Sequence, residues 1–224
     1  MIATPIGNLG DMTFRAVETL KTVDLVACED TRQTLKLLTH FGIRVRLLSC
    51  RAGNEANASR KVIAALDERK TVAYCSDAGT PAISDPGAIL VRSAASAGHT
   101  VVPLPGASAF ASLVSIAGGA DKSVVFEGFL SPKDGRRKSR LKALLEGGAA
   151  FVLYESPFRV LKLLADIVEL DHERYVCVGR EMTKVHEEYL RGSASEISAV
   201  LRERTDIRGE FSVFVSGHNA NSAN

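Results

Sequence analysis

Asp77-Ala78-Gly79-Thr80-Pro81, followed by Ser84-Asp85-Pro86-Gly87, is the densest chemistry-bearing stretch of the sequence. Small residues let a backbone approach a bound molecule closely, and a carboxylate just past a strand accepts hydrogen bonds from a hydroxyl or an amine. The same residue types also make tight turns and helix caps. Thr4-Pro5-Ile6-Gly7-Asn8 and Pro105-Gly106-Ala107-Ser108 are two further small-residue turns. Glu29-Asp30-Thr31-Arg32 places three charged residues around a Thr at a predicted helix start. An N-cap role explains Asp30 or Thr31, but not Arg32, whose positive charge sits at the disfavoured end of the helix dipole. Arg51 and the pair Asn54-Glu55 form another polar strand end. Later, Tyr154-Glu155-Ser156-Pro157-Phe158-Arg159 and Glu181-Met182-Thr183-Lys184 repeat the pattern. Glu155 and Glu181 also read as structural acids, paired to Arg159 and Arg180. Lys133-Asp134-Gly135-Arg136-Arg137-Lys138-Ser139-Arg140 is the one dense basic cluster read from the sequence. Cations at a helix N-terminus oppose the macrodipole, which favours phosphate contacts by Lys133, Arg136, Arg137 and Lys138 over a merely solvated helix start.

These residues need elements to position them. Apolar, β-branched runs at 23–28, 44–50, 71–76 and 100–104 predict strands, with a stub at 1–4. Between them, apolar residues at helical spacing predict helices at 14–20, 31–41, 54–69, 86–97 and 108–117. Strand–helix alternation of this kind implies βαβ units and a largely parallel sheet. Gly118-Gly119-Ala120-Asp121 breaks the pattern and marks a domain boundary, giving domains 1–118 and 119–224. The second half restarts with a strand at 124–130, then helix 137–145, strand 150–154, helix 158–170, strand 174–180, a hairpin arm at 185–191, helix 193–203 and strand 210–216. Residues 218–224 form a small polar tail. The fold class is therefore α/β, as two α/β lobes with a cleft between them, and ligands in such sheets bind beyond the carboxyl ends of the strands.

Several classes are excluded by what is missing. No G-x-G-x-x-G follows a strand, no G-x-x-x-x-G-K-[ST] occurs, and there is no G-x-S-x-G elbow. The five histidines and four cysteines lack ligand spacing, so no metal site is predicted and the thiols are read as buried and reduced. The net charge of +2 is too small to argue a nucleic-acid partner without a local cluster. No apolar run is long enough for a membrane span and no leader pattern is present, which leads to the expectation of a cytoplasmic protein.

The ordered motifs carry a resemblance. Ala3 to Asp11, Cys28-Glu29-Asp30-Thr31-Arg32, Ser76 to Pro81 with Asp85-Pro86-Gly87, Pro103 to Gly106, Phe126 to Leu130, Tyr154 to Arg159, and Arg180 to Lys184 occur in sequence. Together they resemble the tetrapyrrole-methylase superfamily, in the branch that methylates a ribose 2′-hydroxyl of small-subunit ribosomal RNA. The resemblance covers nearly the whole chain. It implies a homodimer that binds S-adenosyl-L-methionine in the interlobe cleft and modifies a cytidine in the decoding region of 16S rRNA. Cofactor contacts are implied for Thr4, Pro5, Asp77, Ala78, Gly79, Thr80, Ala107 and Ser108, and for Leu130, Tyr154 and Met182. Arg51, Asn54 and Glu55 join the basic cluster as RNA contacts, although family members commonly carry a His before the Asn-Glu pair. A methyl transfer to a hydroxyl needs alignment and a proton acceptor. The candidates are Glu29, Asp30, Glu55, Glu181 and Lys184; Asp30 with Arg32 is favoured as the substrate-side pair, with Glu181 and Lys184 as the other catalytic residues. The rival readings are a methyltransferase for a small tetrapyrrole acceptor and a non-catalytic ribosome-assembly factor.

Overall fold

The structure is a computed structural model that describes residues 1–119 and 122–217. The polar tail at 218–224 lies outside the described residues. The chain divides into two compact units, Met1–Ser108 and Ala109–Asn224.

In the first unit, helix α1 (Phe14–Thr22) precedes strand β1 (Leu25–Cys28), helix α2 (Thr31–His40), strand β2 (Arg46–Ser49), helix α3 (Glu55–Asp67), strand β3 (Val72–Cys75) and helix α4 (Ala88–Ser96). The strands are parallel, in the order β2-β1-β3. Leu25, Val26, Ala27 and Cys28 are all buried, which is why the middle strand reads as an unbroken apolar run rather than an alternating one. Met1–Thr4 continues the sheet, since the Ile2 N–H donates to the Tyr74 carbonyl at 2.9 Å. The strand expected at 100–104 is reduced to a single parallel bridge between Ile2 and Leu104. Pro103 and Pro105 flank Leu104 and have no N–H to donate, so the ladder cannot extend along that edge. Ile2, Leu20, Val26 and Leu38 are central to one layer of the core, and Tyr74, Val62 and Leu90 to the other.

The second unit contains α5 (Ala109–Ala117), β4 (Val124–Phe129), α6 (Asp134–Glu146), β5 (Ala150–Glu155), α7 (Val160–Leu170), β6 (Tyr175–Arg180), β7 (Glu188–Ser193), α8 (Ala194–Arg202) and β8 (Phe211–Val215). Its sheet runs β4-β5-β8-β6-β7. Only β4 and β5 are parallel; β8 is antiparallel to both of its neighbours, and β7 is antiparallel to β6. The sheet is therefore mixed, where strand–helix alternation suggested a parallel one. A capping box between Ser193 and Glu196 starts α8.

The division between units falls at Ser108/Ala109, ahead of the 118/119 position read from the glycines. The reason is packing: α5 lies on β8 and β6, the Tyr175 hydroxyl donates to the Ala117 carbonyl at 2.6 Å, and the Arg191 guanidinium donates to Ile116 O. All four cysteines are buried free thiols. Among the described residues no helix is long and apolar enough to cross a membrane, and no group of three His, Cys, Asp or Glu is placed to hold a metal.

Candidate functional site

In the first unit, three of the small-residue segments meet at the carboxyl ends of the parallel strands. Thr4 and Gly79 exchange both backbone hydrogen bonds, each 2.9 Å. The buried Thr4 hydroxyl donates to the Ser76 carbonyl at 3.4 Å, and the Thr80 hydroxyl to the Ala107 carbonyl at 3.2 Å. Gly79 adopts φ +72°, a conformation L side chains rarely take, and a Cβ there would stand 3.3 Å from Ile6 Cγ2. Thr4, Asp77, Ala78, Gly79, Thr80 and Ala107 are thus brought together, with Pro5 and Ser108 next to them in the chain. The loop leading into α4 holds two non-glycine residues at positive φ, Ala82 at 66° and Ser84 at 61°. Strain of this kind is commonly retained where a loop must present a fixed shape.

Four carboxylates surround these loops. Asp77 Oδ1 accepts the Asp30 backbone N–H at 2.9 Å, and Glu29 Oε2 accepts the Asp77 N–H at 3.5 Å. Asp30 caps α2 through the Arg32 N–H and pairs bidentately with the Arg32 guanidinium, at 3.1 and 2.7 Å. Those bonds hold its carboxyl down at about 2. Glu29 has the opposite character: burial, then the charges of Asp77 and Asp85, raise it above the ordinary carboxylate range. Burial raises Asp85 as well, against a hydrogen bond from Ser76 that lowers it. Asp85 was not singled out among the sequence candidates; its only signal is its place before Pro86 in a loop rich in turn residues.

Two expected RNA contacts turn out to build the unit. Glu55 is buried and its Oε1 accepts the backbone N–H groups of Gly87, Ile89 and Leu90. Gly87 has no side chain to cap α4, so Glu55 supplies the cap from α3 and is buried there. Asn54 is a loop staple, accepting from Arg51 N at 2.8 Å and donating to Ser49 O at 3.2 Å. Arg51 is exposed.

In the second unit, Leu130 lies in the core and Met182 is buried over Gly179. The Tyr154 hydroxyl accepts the Phe110 N–H at 3.0 Å, at the start of α5, and its ring packs edge-on against Phe126 and Phe129. Glu181 and Lys184 pair at 2.8 Å, and Lys184 also reaches Glu210 at 3.0 Å. Glu181 is therefore tied to Lys184, while its expected partner Arg180 bonds the Arg208 carbonyl instead. Glu181 and Thr183 sit at φ 49° and 66°, so this loop carries strain like the one before α4. Glu155 is buried and pairs with Arg159 at 2.7 Å.

The basic stretch at the start of α6 is largely neutralised. Arg137 is buried, with its guanidinium on Asp166 at 2.5 Å and Asp134 at 3.1 Å, so its charge is already paired inside the unit. Lys138 pairs with Glu169 at 2.6 Å and Arg140 with Glu127 at 2.7 Å. Only Lys133 and Arg136 of the four expected contacts are exposed without such a pair among the described residues. Acids at 127, 166 and 169, outside the basic stretch, meet three of its cations.

Comparison with known proteins adds independent findings. The profile of tetrapyrrole (corrin/porphyrin) methylases matches residues 1–198. A protein of Borrelia garinii subsp. bavariensis named ribosomal RNA small subunit methyltransferase I is 43% identical over 96% of this chain and 97% of its own length. The protein of that name from Thermotoga maritima is 42% identical over 97% of each chain, and that of Escherichia coli O157:H7 is 44% identical over 98% of this chain and 78% of its own. Among solved structures, a cobalt precorrin-4 methyltransferase aligns with TM-score 0.67 at 14% identity, covering 96% of this chain and 92% of its own. The uroporphyrin-III-C-methyltransferase of Thermus thermophilus aligns with TM-score 0.66 at 17% identity and the same coverage. At such identities these two likenesses speak for the fold alone.

Proposed function

The chain belongs to the tetrapyrrole methylase family, among the ribosomal RNA small subunit methyltransferase I proteins, and from that premise we propose that it transfers a methyl group from S-adenosyl-L-methionine to the 2′-hydroxyl of a cytidine in the decoding region of 16S rRNA. It acts as a cytoplasmic homodimer. The observation that carries this reading is the identity of 42–44%, over 96–98% of this chain, to proteins of that name in three bacteria.

The first unit's loops fit such a cofactor. Small residues at 77–80 and 4–5 leave the backbone open to close approach, and Glu29, Asp77 and Asp85 complement a sulfonium cation and ribose hydroxyls. When bound, S-adenosyl-L-methionine supplies an electrophilic methyl on a positively charged sulfur. Transfer forms the O2′–C bond and breaks the S–C bond, while the hydroxyl proton must leave. Glu29 is the better acceptor for that proton, because its environment holds it closer to neutral pH. Asp30, pinned by Arg32, is a weak acceptor; the pair serves instead to fix the start of α2 and to present a cation beside the rim.

The test is incubation of the protein with tritiated S-adenosyl-L-methionine and small ribosomal subunits lacking the modification, followed by digestion to nucleosides. Label in 2′-O-methylcytidine is the expected result. Label only in an added tetrapyrrole, or cofactor binding without any transfer to RNA, would reject this acceptor.

A further inference from the structure

The chain is close to charge balance, with 28 basic and 26 acidic residues, yet residues 31–61 break that balance sharply. This segment is α2, β2 and the first half of α3, and it holds seven Lys or Arg against one acid. The one acid is Glu55, buried and consumed in capping α4. Arg32 is paired to Asp30. The other six cations, Lys36, Arg44, Arg46, Arg51, Arg60 and Lys61, are all exposed, and none forms a salt bridge among the described residues.

Their placement is ordered. β2 is the edge strand of the parallel sheet. Arg46 opens it, and Arg46 and Lys61 share a depression of about 280 Å³ between β2 and α3. A single cation on an edge strand is enough to discourage pairing with another sheet; six spread over three consecutive elements exceed that need. The strip also leads somewhere. Ser49 at the end of β2 is in register with Cys28 at the end of β1. Arg51 therefore emerges at the same level as Glu29 and Asp30, at the rim where the proton acceptor sits.

We propose that the exposed edge of β2, with the adjoining side of α3, is the docking surface for the ribose–phosphate backbone of the RNA, guiding it toward the rim at Glu29. This rests on the RNA reading above, and it moves the main phosphate contacts away from the start of α6, where ion pairs have used up the charge. A backbone polyanion fits because the cations are numerous, solvated, unpaired and strung along an edge rather than gathered into one pocket.

The experiment measures binding of the full chain to a small-subunit rRNA fragment between about 50 and 200 mM salt. The variant is Arg44→Glu/Arg46→Glu/Arg60→Glu/Lys61→Glu, with the four-fold Gln variant as a milder companion should charge reversal impair folding. Calorimetry with S-adenosyl-L-methionine and circular dichroism report whether the first unit is intact. Affinity should fall at least tenfold, and the slope of log K against log salt should become shallower by about 3, since each lost phosphate contact removes about 0.7–0.9. The pair Lys133→Glu/Arg136→Glu should change the slope by less. An unchanged slope in both four-fold variants, or a larger change in the α6 pair, overturns the surface while leaving the RNA reading standing. Absence of salt-dependent binding by the unsubstituted protein overturns both.

Discussion

Glu55 Oε1 accepts the backbone N–H of Gly87 at 2.9 Å, joining the start of α3 to the start of α4 across 32 residues of chain. The same oxygen takes the N–H groups of Ile89 and Leu90 at 2.8 and 3.1 Å. Without it, three donors at the partly buried start of α4 lose their acceptor. Glu55→Ala should lower stability by about 2–4 kcal/mol, measured by urea unfolding, with Glu55→Gln costing less. A neutral result would mean that α4 starts without this cap.

Arg137 and Asp166 form a buried pair, so breaking it leaves an unpaired charge. Arg137→Ala should destabilise the protein by about 3–5 kcal/mol. The double change Arg137→Met/Asp166→Leu, which removes both charges, should recover most of that loss. RNA affinity of either variant, measured below its unfolding temperature, should match that of the unsubstituted protein.

Glu29 and Asp30 should separate in a pH profile. Glu29 is raised, and as the proposed proton acceptor it would act in its deprotonated form, so turnover should rise with pH through a value above the usual carboxylate range. Glu29→Gln should lose that limb together with about 10²–10⁴ in rate while S-adenosyl-L-methionine still binds. Asp30→Asn should keep the limb.

Asp30 has its own signature in stability. A carboxyl depressed to about 2 from a usual 3.8 contributes stability at all pH values above the unfolded figure. That contribution is lost as pH falls from about 4 to about 2. In Asp30→Asn the acid limb of a stability–pH curve should be flatter over that window, and an unaltered limb would show that the pair with Arg32 is too solvated to matter.

Gly79 cannot take a side chain without strain, because of its φ of +72° and the nearby Ile6. Gly79→Ala should cost about 1 kcal/mol in stability and weaken S-adenosyl-L-methionine binding in calorimetry, through distortion of the ladder with Thr4.

Much of this was legible in the residues. Periodicity located each α-helix and each strand of the described residues, and added one strand, at 100–104, that does not form; the small-residue turns marked the loops that meet around Thr4 and Gly79. What failed did so for identifiable reasons. The strand at 100–104 is apolar enough, but two prolines deny it a ladder. Glu55 looks like a surface acid beside Asn54, because nothing local shows that its acceptor role lies at residues 87–90. The cluster at 133–140 looks free because, Asp134 apart, the acids that pair its cations sit at 127, 166 and 169. Charge counted by segment, rather than by local density, singles out 31–61, whose one acid is Glu55.

The order of strands in the second sheet has a consequence for synthesis. β8, the last of its strands in the chain, lies between β5 and β6 and is buried along its whole length. Until residues 211–215 emerge from the ribosome, β5 and β6 have no common neighbour and the sheet is open through its middle. The first unit, whose parallel strands follow one another closely, can close while the second is still being made. A nascent chain halted before residue 211 should therefore carry one finished unit tethered to an incomplete one that exposes two apolar strand edges, the species most in need of a chaperone.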